Sequence, residues 1–275
     1  MSFKRTEAVV IKAINLREAD KIITFFSRDY GKIQGIARGI RKIHTKYSGK
    51  LDLFNRVNVI FFQKLENPQQ THSLLRITQV DVVEVFPQLK NDFNKIIGAS
   101  YIAEFLNKLF EDHDASHKPV YDLVCYTLRA LAASQNIRAI LPAFEIKLLA
   151  QLGYAPVLDR CTSCQQRRTG TLNHELPESP PSPDSLPGFN FSTGGVLCQR
   201  CKRLKKGTLQ ITPQAVNMLQ QLFKTEIMQI EAITLPPNLH QEIKTLLAGY
   251  IQYHLGIALK TDLFVQKLRS ANLSK

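Results

Sequence analysis

Short apolar, β-branched runs recur at close spacing over residues 1–80. They are Ala8-Val9-Val10-Ile11, Ile22-Ile23-Thr24-Phe25-Phe26, Ile33-Gln34-Gly35-Ile36-Ala37, Val57-Asn58-Val59-Ile60-Phe61-Phe62 and Leu74-Leu75-Arg76-Ile77-Thr78. Turn-forming clusters separate some of them, Arg28-Asp29-Tyr30-Gly31 and Glu66-Asn67-Pro68. Five strands in so short a stretch predict a small closed or nearly closed barrel. An OB-fold has that strand count, and its sheet face and loops commonly bind oligonucleotides; an SH3-like barrel fits the pattern almost as well.

Beyond residue 82 the period changes to that of helices. Ile97, Tyr101, Phe105 and Leu109 form one stripe, with Ile102, Leu106 and Phe110 beside it. Leu141, Phe144, Leu148 and Leu152 form a second, closed by Gly153 as a helix C-cap. Thr212-Pro213 reads as an N-cap and first turn leading into Val216, Leu219 and Phe223. Leu239, Ile243, Leu246, Tyr250 and Ile251 mark a further helix. All four stripes are read as core-packing faces, and Cys125 within Tyr121-Asp122-Leu123-Val124-Cys125 as core.

The composition, 44% hydrophobic and 21% charged over 275 residues, is that of a globular chain of two domains, with room for a small third module. No run of about 18 apolar residues predicts a membrane span, and the opening Met1-Ser2-Phe3-Lys4-Arg5-Thr6-Glu7 is no secretory signal. A reducing cytoplasm is therefore expected, where cysteines serve more often as metal ligands than as disulfides.

The net charge of +13 points to a polyanionic partner, and its distribution says where. Residues 1–80 carry +9, 81–159 carry −3, 160–206 carry +5 and 207–275 carry +2. Much of the first block lies in Ala37-Arg38-Gly39-Ile40-Arg41-Lys42-Ile43-His44-Thr45-Lys46-Tyr47. That stretch reads either as a solvated loop or as cations for phosphates with a tyrosine ring on which a base could stack. Lys32, Arg38, Arg41, Lys42 and Lys46 are the candidate phosphate contacts, with little base readout. No Gly-Lys-Ser/Thr follows Gly35 or Gly39, so there is no P-loop.

Cys161-x2-Cys164 and Cys198-x2-Cys201 are paired knuckles that predict one structural zinc ion held by four thiolates. The interval between them, residues 165–197, exceeds the common ribbon spacing and holds Pro177, Pro180, Pro181, Pro183 and Pro187. It reads as a flexible proline-rich insertion at about 170–188, with His174 as a weaker competing ligand. Arg200, Lys202 and Arg203, continuing into Lys205 and Lys206, form either a second phosphate contact or the exposed rim of the ribbon. His113 and His117 fall in a stretch with Asp114, Ser116 and Pro119, which reads as a loop rather than a metal site. No catalytic motif is present, so a non-enzymatic protein is expected.

Two N-terminal stretches are similar to the RecO family, Tyr30-Gly31-Lys32 … Ala37-Arg38-Gly39-Ile40-Arg41-Lys42 and Glu7-Ala8-Val9-Val10-Ile11 … Glu18-Ala19-Asp20-Lys21-Ile22. Two later ones match in the same order, Leu148-Leu149-Ala150-Gln151-Leu152-Gly153-Tyr154-Ala155-Pro156 and Gly194-Gly195-Val196-Leu197-Cys198 with Cys201. The resemblance implies an N-terminal OB-fold, a helical C-terminal domain, and a DNA repair and recombination mediator. Such a protein binds single- and double-stranded DNA and anneals complementary strands. With RecR it helps load the recombinase RecA onto DNA coated by single-strand-binding protein, in the cytoplasm at the nucleoid. Tail docking of single-strand-binding protein needs local cations; Arg129, Arg138 and Lys147 are available, while Leu259-Lys260-Thr261-Asp262 departs from the pattern expected there.

The combined expectation is an α+β multidomain chain. It has an OB-fold barrel at 1–82, an α-helical domain at 83–158 and 207–275, and a four-cysteine zinc ribbon inserted at 159–206. An RNA-binding, ribosome-associated protein built from the same parts is the alternative.

Overall fold

The computed structural model describes residues 2–42, 44–63, 74–114, 117–167 and 186–261. The Glu66-Asn67-Pro68 turn, His174, Ser116, Asp262 and every proline of the insertion except Pro187 lie outside these. Packing divides the chain into two compact units, Met1–Ala133 with Leu259–Lys275, and Ser134–Ala258. This division differs from one drawn by motif at 82, 158 and 206, because the first three helices pack with the barrel.

The five predicted strands are β1 (Ser2–Leu16), β2 (Asp20–Ser27), β3 (Gly31–Ala37), β4 (Arg56–Gln63) and β5 (Leu75–Glu84). They close in the order β1-β2-β3-β5-β4. β1 is long enough to serve two neighbours: Ser2–Val9 pairs with β4 and Ala8–Leu16 with β2. A short parallel contact, Gly35↔Leu75 and Ile36↔Arg76, joins β3 to β5. Five strands in this ring are an OB-type barrel. Period-two alternation sends Ala8, Val10, Ile23, Phe25, Ile33, Val57, Val59, Phe61, Leu75 and Ile77 into the interior. Register shifts after Val10 in β1 and between Ile60 and Phe61 in β4 bend the strands enough to close it.

Three helices follow, α1 (Pro87–Asn91), α2 (Phe93–Leu109) and α3 (Lys118–Ala133). Asp92 caps α2 by accepting from the amides of Asn94 and Lys95. The outer residues Phe26 and Val9 are buried, and Phe26 meets Phe110 and Tyr121 at ring separations of 5.1 and 6.5 Å. One polar lock joins α3 to the strands. Arg56 donates to Glu7 and Glu84, Arg129 donates to both oxygens of Glu84, and the Tyr121 hydroxyl donates to Glu7 at 2.8 Å. Cys125 sits beside this lock, and burial pushes its thiol up to about 11. Gly31 explains the Tyr30-Gly31-Lys32 pattern. Its φ is +60°, and a Cβ there would stand 1.9 Å from the Asp114 carbonyl oxygen, where the His113 amide donates to Lys32 O at 2.7 Å.

The chain returns to this unit at residues 259–261. Glu104 on α2 accepts from the amides of Lys260 and Thr261 and from the Thr261 hydroxyl, and it pairs with Lys108. Burial opposes the charge, but these donors outweigh it and hold the Glu104 carboxyl at about 2. A depressed carboxylate stabilises above its unfolded pKa and loses that contribution as pH falls through the folded one. The attachment is thus complete above about pH 4.5 and fades toward pH 2. Glu104→Ala is expected to abolish it at neutral pH, raising deuterium uptake in peptides spanning residues 259–261. Unchanged protection would show that other contacts hold the segment.

The second unit contains α4 (Ile140–Gln151), α5 (Gln199–Lys202), α6 (Pro213–Lys224), a 3-10 turn (Ile227–Ala232) and α7 (Pro237–Leu255). It also holds the short strands β6 (Gly188–Asn190), β7 (Gly195–Leu197) and β8 (Thr208–Gln210), in the order β7-β6-β8. Gly153 ends α4 as expected. At φ +84° it lets its own amide reach Ala150 O and the Tyr154 amide reach Leu149 O, the paired bonds of a Schellman motif. Thr212 caps α6 by accepting from the Ala215 amide. One stripe needs correction: Leu222 is buried on α6, whereas Phe223 is 41% exposed beneath Lys147. No helix among the described residues is long and apolar enough to cross a membrane.

Candidate metal centre and nucleic-acid interface

The four cysteines of the two knuckles come together. Cys161 and Cys164 flank a turn closed by the Gln165 amide on Cys161 O, with Gln165 at φ +60°. Cys198 and Cys201 lie at the end of β7 and in α5, where the Lys202 amide returns to Cys198 O. All four Sγ atoms lie within 4.8 Å of one another, and Cys164 and Cys198 are 3.8 Å apart. None is in a disulfide. Four thiolates on one zinc ion with Zn–S of about 2.3 Å would stand about 3.8 Å apart at tetrahedral angles. The donor set therefore fits a single tetrahedral ion, and a site closed by four thiolates keeps no position for substrate.

The surroundings favour thiolate at Cys161 but not at Cys201. At Cys201 a bond from Ser163 lowers the pKa, but bonds with Cys198 and the other two thiols outweigh it and push the thiol up to about 11. Burial works against ionisation of Cys161, but the amides of Cys164, Cys198 and Ser163 aimed at its sulfur outweigh it and bring its pKa from 9.0 down to about 6. The local core consists of Cys161, Leu197 and Cys201 with Cys198 against it. That is little apolar surface to hold the two knuckle turns together without a further link, although β6 and β7 bury Phe189 and Val196 as well.

The basic residues divide into exposed and engaged. Arg38, Arg41 and Lys42 are exposed at the turn after β3, and the Arg41 guanidinium also donates to Arg17 O at 3.2 Å. The turn is anchored by the Gly39 amide on Asp20 Oδ1 (2.8 Å) and the Arg41 amide on Ala19 O (3.0 Å), with Gly39 at φ +71°. Lys46 is exposed but bonded to Thr78 O at 2.6 Å. Lys32 differs: its ammonium donates to Asn107 O at 3.0 Å and pairs with Asp112 at 3.4 Å, so its charge is neutralised against the end of α2. Tyr47 is also corrected. It is only 3% exposed and its hydroxyl donates to Ile77 O, so its ring belongs to the barrel core and is closed to a base.

On the ribbon, Arg200 and Arg203 are exposed, as are Lys205 and Lys206. Lys202 is half-buried and donates to Leu186 O at 3.3 Å. Of the cations considered for tail docking, Arg129 is committed to Glu84 and Lys147 donates to Phe223 O at 2.7 Å; Arg138 is exposed. His117 sits 3.0 Å from Asp114 Oδ2 and packs on Phe110, in a loop as expected. Phe3, Arg5 and Arg76, none of them in a recognisable motif, are exposed on the outer face of the barrel. Strand parity, with Phe3 and Arg5 on one side of β1, was the available signal.

Comparison with known proteins agrees with this architecture. Residues 1–86 match the family model "Recombination protein O N terminal" and residues 90–263 match "Recombination protein O C terminal". A protein of Caldanaerobacter subterraneus subsp. tengcongensis named DNA repair protein RecO is 28% identical over 272 residues, covering 98% of this chain and 99% of that one. Relatives of the same name from Halalkalibacterium halodurans (26% identical, 98% and 96% covered) and Roseiflexus sp. (29%, 91% and 81%) are similar over comparable spans. With both halves matched in order across an OB-type barrel and a helical body, the chain belongs to the RecO family.

Proposed function

We propose that this chain is a non-enzymatic mediator of DNA repair and recombination. It binds single- and double-stranded DNA through phosphate contacts and anneals complementary strands. With RecR it helps load recombinase onto strands coated by single-strand-binding protein. The observation that carries the reading is the exposed, backbone-anchored turn bearing Arg38, Arg41 and Lys42 on an OB-type barrel. The printed name of the relatives, DNA repair protein RecO, supports it. Arg200 and Arg203 of the ribbon supply a second contact. In this reading the four cysteines hold one structural zinc ion, and the protein acts at the nucleoid.

Cations that neutralise phosphates release counterions, so affinity falls with salt by a slope set by the number of contacts. Bringing two strands onto basic surfaces screens their mutual repulsion, which favours pairing. Replacing Arg38, Arg41 and Lys42 together by alanine is expected to weaken binding and lower the logarithmic salt slope by about 2. Acceleration of annealing between complementary oligonucleotides coated with single-strand-binding protein should be lost as well. Titration by fluorescence anisotropy at several salt concentrations checks the first, and a fluorescence annealing assay the second. Unchanged affinity and slope would reduce the turn to a solvated loop.

A further inference from the structure

A row of outward-facing side chains circles the open part of the barrel. Phe3 pairs with Phe62 across β1 and β4, Phe62 with Arg76 across β4 and β5, and Arg76 with Ile36 across β5 and β3. Ile36 pairs with Ile22, and Ile22 with Ile14. All six have the parity opposite to the interior set of Phe61, Leu75, Ile77, Ile23 and Ala37, so all face outward. Where α2 and α3 pack, the outer face is covered: Val9 and Phe26 are buried and Gln34 is bonded to Asp112. In this row Phe3 is 70% exposed, Ile14 46% exposed and Arg76 exposed, while Phe62, Ile36 and Ile22 are half-buried and keep part of their outer surface open. The Phe3 and Phe62 rings lie 5.5 Å apart at 60°.

An exposed phenylalanine has a hydrophobic cost in water that a soluble surface normally avoids, and here two rings are placed beside a guanidinium. The chemistry around the row is cationic. Arg76 lies within it, Arg5 lies two residues from Phe3 on the same face, and Arg38 follows two residues after Ile36. Asp20, two residues before Ile22 on the same face, is the carboxylate at that spacing, and it accepts from the Gly39 amide at 2.8 Å. Flat apolar rings spaced between cations suit unpaired bases, each of which has a π-face, with phosphates reaching the cations. A stacked duplex has no free face to offer them.

We infer that the Phe3–Phe62–Arg76–Ile36 row is a base-stacking track for single-stranded nucleic acid, separate from the phosphate-binding turn. The inference rests on the nucleic-acid reading above and adds to it a preference for unpaired strands. In annealing, the track holds bases only until a complementary strand withdraws them into a helix, while the basic turn keeps hold of the backbone.

The test uses the full chain with three labelled probes: an oligothymidylate, a strand of equal length that is abasic throughout, and a blunt duplex. Phe3→Ala combined with Phe62→Leu is expected to lower affinity for oligothymidylate about 10-fold or more, leaving duplex affinity and salt slope unchanged. Wild type should show a similar loss on the abasic strand, and Phe3→Tyr, which keeps a ring, should bind as wild type does. Equal binding of oligothymidylate by the double variant overturns the inference and leaves the row as a protein-docking face. A parallel loss on duplex overturns it too. A wild-type protein that binds none of the three probes removes the nucleic-acid reading itself, and this track with it.

Discussion

On the proposed zinc site, Cys161→Ser protein is expected to retain no metal and to unfold the ribbon while the barrel remains folded. Serine stays protonated at neutral pH and cannot complete a four-thiolate site. The remaining local core of Leu197, Cys201 and Cys198 is small. Free energies of structural zinc binding in small peptides are of order 10–16 kcal/mol, which bounds the effect from above. The damage should extend beyond the knuckles. Phe189 of β6 packs edge-on against Tyr250 of α7 at 5.5 Å, and His254 of α7 lies 3.0 Å from Phe191 O. Elemental analysis gives the metal content, and limited proteolysis followed by mass spectrometry shows which unit is cut. Cleavage should concentrate in 134–258 and spare 2–133. Full metal content in the variant would refute the four-thiolate assignment.

Arg56→Ala should be the most damaging single change in the first unit, costing about 3–5 kcal/mol. Its guanidinium is 16% exposed and lies between Glu7 and Glu84; removal leaves two carboxylates facing each other across the lock. Arg56→Lys should recover little, because one ammonium cannot match the divided geometry of a guanidinium. The lock also sets an acid limit. For Glu7, burial raises the pKa but the bonds from Arg56 and Tyr121 outweigh it; for Glu84, the Arg129 bonds lead. Both carboxyls are held below 4.5, so their contribution is present above that pH and is lost as pH falls through the depressed values. Urea unfolding at neutral and acidic pH checks this. The gap between wild type and Arg56→Ala should narrow below pH 4.5, and a constant gap would remove the charges from the account.

How much was legible follows from the range of each interaction. The strands were readable because alternation and turn chemistry are local, and so were the Thr212 and Gly153 caps. The paired cysteines announced themselves because each knuckle is a four-residue unit. The order of the strands was not readable: the β3–β5 contact joins Ile36 to Arg76, and no local signal encodes that register. The settings of Lys32 and Tyr47 were unreadable for the same reason. Lys32 has the parity of an outer-face residue, but the end of α2 covers it. Tyr47 stands among cations in the chain, yet it turns inward to cap Ile77. Phe223 and Leu222 are adjacent and equally apolar, so only packing chooses between them. The row of Phe3, Phe62 and Arg76 stayed hidden because its members are scattered over more than seventy positions.

The first unit is discontinuous, and this orders its assembly during synthesis. β1 is made before the other strands, yet its segment Ser2–Glu7 has no strand partner until β4 follows. Its Glu7 waits for Tyr121. Glu104 receives its last donors only when residues 260 and 261 emerge, after the whole of the second unit. Contacts of such sequence separation carry a loop-closure cost before they contribute anything. The barrel can therefore close early, but the unit it belongs to matures last. Until then the first unit lacks its last contacts, although every residue of the second unit has already been made. The unit begun first is thus the one finished by residues made after the other.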